Sequence, residues 1–488
     1  MRSGGDLTRQ ELFRYRKHIG VNVGAWFVGE RWISDELFGA CPGAGPGQRS
    51  ELASVSAHVK RYGFEATRLR WEKHWDSFMD APMEIQEMKA AGINAVRLPI
   101  GWFSLSRQEL LRSTSFERYG AVYANCWSRI LTFIQQCSDE GVGVLVDMHC
   151  LPGGANADAH SGTDSSEAGL FSDVNARRQA LESIKFVIRE LATRTNVIGI
   201  EVANEPTWGH SDWLKPFYME CLAYAKNLGN GVPLYIGDCW SPLEWATWAG
   251  KLPSDLFCVV DHHYYYCFDD KRKSRSPQQI IESIQNSTEL EQCSIAAHGQ
   301  VIVGEFSLTL DESSLKQVKK ADRPAWERAF GNAQLQQFLH HSAGAFFWTW
   351  KFQVRNGTNN WDLRDVLQND YLPCPVAPQL DASATICAAV QQRNKLKAAK
   401  TREHTAFWST HGDAEQYEHW RYELGWDRGY ADCLQFASEG DGLVCAFQER
   451  LVMLRQRAHN RKRGVSDFSW EFEHGYRAAW ACFPYHFK

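Results

Sequence analysis

No stretch of the 488-residue chain is apolar for long enough to cross a bilayer as a helix, so a helical membrane protein is not expected. The opening residues, MRSGGDLTRQELFRYRKH, hold no apolar core followed by a small-residue cleavage site, and a cytoplasmic location is the expectation. Excess positive charge is missing too. The 53 Lys and Arg stand against 58 Asp and Glu, a formal charge of −5, which leaves nucleic acid without an electrostatic footprint. The 14 Cys lie singly, with no CxxC pair, so neither a zinc ribbon nor a disulfide scaffold is read. No HExxH spacing appears among the 17 His, and neither metal nor organic cofactor is expected. Glycosylation-type tripeptides at Asn286 and Asn356 matter only in secreted chains and are taken as incidental.

What is abundant is apolar and aromatic. With 44% hydrophobic and 23% charged residues the chain can bury a large core, and wholesale disorder is excluded. Twenty Trp, 16 Tyr and 26 Phe supply flat rings beyond the needs of a core, and sugar binding is one use for such platforms.

Eight short apolar runs alternate with helical patterns. They start at His18, Asn94, Gly143, Val197, Val232, Phe257, Val301 and Gly344. Between them, segments such as Met83 to Gly92, Arg177 to Ala192 and Ala325 to His341 carry apolar residues at helical spacing. Strand then helix, eight times over, predicts an α/β fold, a closed (β/α)8 TIM barrel. The Pro-rich stretch Tyr371 to Pro378 marks a boundary. Residues 1–372 are therefore read as the barrel, and 373–488 as a mainly helical, aromatic-rich extension packing on it. In that extension WRYELGW from Trp420 and WEFEHGY from Trp470 share the pattern Trp-x-aromatic-Glu-x-Gly-aromatic, read as two helices packing their rings on the barrel or on each other. The basic run from Arg455 to Arg463 reads as a solvated helix face.

Unusual polar residues collect at the carboxyl ends of the runs: Arg97, His149, Asn204 with Glu205, Asp238, His263 with Tyr265, and Glu305. A polar residue capping one strand needs no function, but independent caps have no reason to gather at one end, and that rim is where a βα barrel carries its site. Glycosidic cleavage needs an acid for the leaving oxygen and a second carboxylate to meet the developing positive charge. Glu205 and Glu305, on the fourth and seventh runs, face each other across a barrel mouth. Asn204 can bond a sugar hydroxyl, Tyr265 can hold an ionised carboxylate, and Trp348 can lie under a pyranose ring. Arg97 beside Glu305 would favour its charged form, whereas Glu205 as the acid is expected to have a raised pKa. His262 and His263 point to opposite sides of their strand, so only one reaches the site.

GVNVGAWFVGERWI (from Gly20), AVRLPIGW (from Ala95), VDMHCLPGGANADAHSG (from Val146), GIEVANEP (from Gly199), DHHYYYCF (from Asp261), VGEFS (from Val303) and FFWTWK (from Phe346) together resemble glycoside hydrolase family 5. More narrowly they are similar to its fungal exo-β-1,3-glucanase branch, in order over residues 15 to 370. The resemblance implies a retaining glucan 1,3-β-glucosidase that releases glucose from the non-reducing end of β-1,3-glucan, with Glu205 as acid/base and Glu305 as nucleophile. It implies a substrate-binding ring of Arg97, His149, Asn204, His263, Tyr265 and Trp348, with Glu30 on the terminal glucose. Of the branch's pair of Phe residues that clamp the next sugar, Phe268 is present and Asp158 stands at the other position; Arg31 replaces the usual Pro after Glu30. The Glu418-His419-Trp420-Arg421 text is similar to an intracellular subgroup with a C-terminal extension. The alternatives are a β-glucosidase of glucolipids or small glucosides, and a non-catalytic sugar-binding or scaffold relative.

Overall fold

The computed structural model describes residues 5–486 except 42, 44, 46, 354–358, 379, 412–415 and 440–443, so the tripeptide at Asn356 lies outside the described residues. Eight strands follow the eight predicted runs: β1 (His18–Asn22), β2 (Ala95–Gly101), β3 (Gly143–Cys150), β4 (Val197–Glu201), β5 (Leu234–Gly237), β6 (Cys258–Tyr264), β7 (Val301–Phe306) and β8 (Gly344–Phe347). All pair in parallel and in sequence order, and β8 returns to β1 to close the barrel. The strands are buried on both faces, which is why they read as unbroken apolar runs rather than alternating ones. Helices cover them. The helix Val174–Leu191 starts where the Asp173 carboxylate accepts from the amides of Asn175 and Ala176, and buries Ile184, Val187, Ile188 and Leu191.

Register sets the polar rim. Asn22 pairs with Arg97 between β1 and β2, and His263 pairs with Glu305 between β6 and β7 after an irregularity at His262. Gly304 precedes Glu305 because nothing larger fits: a Cβ there would lie 1.9 Å from the Asp261 carboxylate, whose Oδ1 accepts from the Gly304 amide at 2.6 Å.

The chain divides into two compact units, His18–Ala377, which is the barrel, and Met1–Lys17 together with Pro378–Lys488. The first 17 residues, expected with the barrel, thus belong to the helical unit. The reason is hydrogen bonding to the backbone of this segment: Gln435 accepts from the Leu7 amide on Oε1 at 2.7 Å and donates from Nε2 to Leu7 O at 2.8 Å, and the Lys17 amide donates to Val444 O at 2.9 Å.

The repeated Trp-x-aromatic-Glu-x-Gly-aromatic segments lie on the helices His419–Glu439 and Trp470–Cys482, which pack on each other. Their glycines make the crossing reciprocal. A Cβ on Gly425 would lie 1.9 Å from Phe472 O, and one on Gly475 would lie 1.9 Å from Tyr422 O, the matching position of the other copy. Gly475→Ala is expected to force the helices apart at a cost of about 1–3 kcal/mol, read as a lower urea midpoint. An unchanged midpoint would mean that the crossing tolerates a methyl group.

The basic run is not the uniformly solvated face expected of it. Arg461, Lys462 and Arg463 are exposed, but Arg455 is buried and grips Asp432 with two bonds of 2.8 and 2.7 Å, because the buried Asp432 needs a cation.

Candidate active site

Strand periodicity stacks the site in two layers. Asp147 and His149 on β3, and Asp261 and His263 on β6, are each two residues apart and face the barrel axis together. In the lower layer one fully buried guanidinium holds the arrangement. Arg97 donates from Nε to Glu201 Oε2 at 2.8 Å, from Nη1 to Glu305 Oε1 at 2.9 Å and Asn22 Oδ1 at 3.0 Å, and from Nη2 to Asn204 Oδ1 at 2.7 Å. Asp147 lies 3.2 Å and Asp261 3.8 Å from the same group. Burial, opposed by Arg97 and reinforced by Asp147 and Asp261, pushes Glu201 well above the carboxylate range.

Glu305, at the end of β7, accepts from Arg97 on Oε1 and from the Tyr265 phenol on Oε2 at 2.7 Å. Burial, and then the Glu305 charge, raise the Tyr265 phenol well above its ordinary value, which keeps it a donor.

Glu205 follows β4 with φ of 42°, a left-handed conformation that costs a non-glycine residue roughly 1–3 kcal/mol. Asn156 Nδ2 donates to its carbonyl at 3.0 Å and braces it. Its Oε1 lies 2.7 Å from His263 Nδ1 and its Oε2 3.2 Å from His160 Nε2. These contacts reverse the expected pKa direction. Burial alone raises the Glu205 carboxyl, but the two imidazoles outweigh it and hold the group well below the carboxylate range.

The remaining predicted residues ring these two. His149 binds Asp147 through Nδ1 at 2.7 Å and stacks 5.6 Å from Trp348; its Nε2, like Asn204 Nδ2, is buried with no hydrogen-bond partner among the described residues and can meet a ligand hydroxyl. Glu30 is buried, accepting from the Ala25 amide at 3.2 Å and the Trp32 indole at 3.0 Å. Phe268 is 63% exposed at the mouth, with its ring 5.3 Å from Tyr265. Asp158 is exposed. Only His263 of its pair reaches Glu205; His262 turns to Asp238 at 2.5 Å.

Several neighbours escaped the sequence reading. Asp147 and Asp261 were legible as the residues two before His149 and His263, on the same face. Glu201 and Asn22 carried only burial on strands β4 and β1 as a signal. Trp361, 5.4 Å from Tyr265 and 5.2 Å from Trp32, carried none, and His160, on the loop after β3, lay within the quoted Val146 to Gly162 segment without being singled out.

Three groups of donors crowd within 4.8 Å: Glu201, Asp261 and His263; Glu205, His263 and Glu305; and, in the helical unit, His404, His419 and Glu471. In the first two, Arg97 and the imidazoles supply the counter-charge, and in the third Glu471 Oε2 lies 3.0 and 2.8 Å from the two imidazoles, so we identify none of these as metal ligands. Among the described residues no helix is long and apolar enough to cross a membrane.

A closed βα barrel whose rim brings two glutamates together is the frame of a glycoside hydrolase, and residues 55–354 match cellulase (glycosyl hydrolase family 5). The chain belongs to that family and is a glycosidase. Residues 389–486 match the glucan 1,3-beta-glucosidase 3 C-terminal domain. The chain is 34% identical to glucan 1,3-beta-glucosidase 3 of Schizosaccharomyces pombe, across 97% of this chain and 96% of the relative. It is 31% identical to an uncharacterized glycosyl hydrolase of Saccharomyces cerevisiae, across 97% and 92%. The fold is similar to the crystal structure of rutinosidase from Aspergillus niger, with a TM-score of 0.57 at 17% identity over 74% of this chain and 98% of that one.

Proposed function

We propose that the protein is a retaining, exo-acting β-glucosidase that releases glucose from the non-reducing end of β-1,3-glucan or a related β-glucoside. One observation carries the reading: a carboxylate oxygen of Glu205 and one of Glu305 lie within 4.8 Å of each other. Retaining enzymes hold the pair about 5–5.5 Å apart, whereas inverting enzymes leave room for a water at about 6.5–9.5 Å. Glu305 is the nucleophile. Arg97 and Tyr265 hold and aim it by their hydrogen bonds, and it attacks the anomeric carbon as Glu205 protonates the departing oxygen. In the second half Glu205 takes a proton from water, which displaces Glu305 and releases β-glucose. His149 Nε2 and Asn204 Nδ2 bind sugar hydroxyls, Trp348 packs on the ring, and Glu30 holds the terminal hydroxyls. The β-1,3-glucan preference is supported by the name of the S. pombe relative, and a cytoplasmic site of action by the resemblance to the intracellular subgroup.

The exposed Phe268, with Asp158 where the branch has a second Phe, favours a second reading of the acceptor side: a glucolipid or small glucoside in place of a glucan chain. The experiment is turnover of phenyl β-glucoside, short β-1,3-linked glucose oligomers and a glucolipid by the wild type, followed by chromatography and anomeric NMR. Glucose released first as the β anomer, one unit at a time, is expected. Initial α-glucose would overturn retention, and release of longer oligomers would overturn the exo mode.

A further inference from the structure

Glu205 carries two imidazoles that are not equivalent. His263 Nδ1 stands on Oε1 and also lies 3.5 Å from Glu305, while its Nε2 lies 3.5 Å from Asp261, so the ring is shared among three carboxylates. His160 Nε2 stands on Oε2 at 3.2 Å, and among the described residues Glu205 is the one carboxylate within ion-pair distance of it. That Nε2 is sealed from solvent and makes no well-aligned hydrogen bond. The backbone around it is fixed, with Ser161 N and Oγ donating to Asp158 O at 3.0 and 2.8 Å and Cys150 Sγ donating to His160 O at 3.1 Å. The groups facing the ring are Glu205 from the loop after β4, Glu30 from the loop after β1, Asp158 on its own loop, and His149 of β3 with its ring 5.5 Å away.

A general acid held ionised in the resting site cannot donate until a proton returns to it. We infer that His160 is a positioning residue for acid catalysis, holding the acid proton in the resting site and passing it to the Glu205 carboxylate for the leaving group. This rests on Glu205 being the acid/base. The proton moves from His160 Nε2 to Glu205 and from Glu205 to the glycosidic oxygen. That oxygen also takes the electron pair of the breaking C–O bond, and His160 is left neutral. When water attacks, its proton passes to Glu205 and back to His160. Burial disfavours the imidazolium, but Glu205 first, then Glu30 and Asp158, outweigh it and push His160 up to about 9. Glu205 and His160 therefore titrate as a unit, and the transferable proton is retained until the pH passes the upper end of that unit. Without His160 the proton rests on Glu205 beside His263 and is lost at lower pH.

The test measures kcat/KM against pH for wild type, His160→Gln and His160→Asn, with phenyl β-glucoside, whose leaving group needs a proton, and 2,4-dinitrophenyl β-glucoside, whose leaving group does not. His160→Gln is expected to lose roughly 10²-fold on the phenyl substrate, with its alkaline limb moved toward acid by about one pH unit or more, and at least tenfold less on the dinitrophenyl substrate. Equal losses on both substrates, or an unmoved alkaline limb, in whichever variant melts like the wild type would overturn the inference and leave His160 a structural loop residue. A variant that does not fold, with the other giving equal losses, would do the same. Wild type inert toward both substrates would instead overturn the proposed function, so the two failures are distinguishable.

Discussion

Glu305→Ala is expected to lower turnover of an aryl β-glucoside by about 10⁴-fold or more, equivalent to at least ~5.5 kcal/mol of transition-state stabilisation. Azide is expected to restore part of the rate with α-glucosyl azide as product. In the proposed mechanism the Glu305 carboxylate forms the covalent bond, and the alanine side chain has no group to replace it. Truncation opens space on the α face of the sugar, where azide attacks with inversion while Glu205 still serves as the acid. The stereochemistry of the azide decides the assignment. A β-glucosyl azide would mark Glu305 as the acid/base and exchange its role with Glu205. Full activity of the variant would overturn the two-carboxylate mechanism. The variant is expected to fold, since deleting Glu305 removes one of four acidic groups around a single guanidinium.

Arg97→Met is expected to abolish detectable turnover and to destabilise the protein by about 3–5 kcal/mol at neutral pH, the cost of leaving buried charges without their partner. Arg97 is wholly buried and has the ionisable side chains of Asp147, Glu201, Asp261 and Glu305 around it. Without the cation, burial and mutual repulsion penalise ionisation of this acidic cluster relative to the unfolded chain. A group raised on folding contributes its stability below the unfolded pKa and loses it as pH rises through the folded one. The deficit against wild type should therefore be small near pH 4 and grow toward pH 7 and above. Urea unfolding of both proteins across that range checks the sign. A deficit independent of pH would mean that the guanidinium is missed for packing rather than for charge.

The barrel was legible because its cause is local. A parallel strand covered on both sides must be apolar throughout, and a covering helix must be apolar on one face, so the eight runs and the segments between them carry their period in the text. The unit boundary was less legible. The segment Leu7 to Lys17 looks like any amphipathic opening, and only its pairing with Gln435 and Val444, more than 400 residues away, assigns it to the helical unit. The Trp-x-aromatic-Glu-x-Gly-aromatic repeat was visible as text. Its reason, a glycine on each helix meeting the other's carbonyl, required the crossing.

For the site, residue types at strand ends sufficed to pick out Glu205, Glu305, Arg97, His149, Asn204, His263 and Tyr265, because a barrel turns strand ends into a common rim. The protonation of the acid did not follow from them. Glu205, read as the acid, was expected to sit high, and it sits low because His160 and His263 both stand on its oxygens, His160 from a loop that no strand or helix period places. Sequence alone determined the eight apolar runs, their order along the chain and the two glutamates at run ends, since periodicity and chain direction are properties of neighbouring residues. Tertiary structure alone decided which imidazole touches which oxygen. That depends on distances of about 3 Å between residues far apart in the chain, and electrostatic coupling in a buried site changes steeply over such distances.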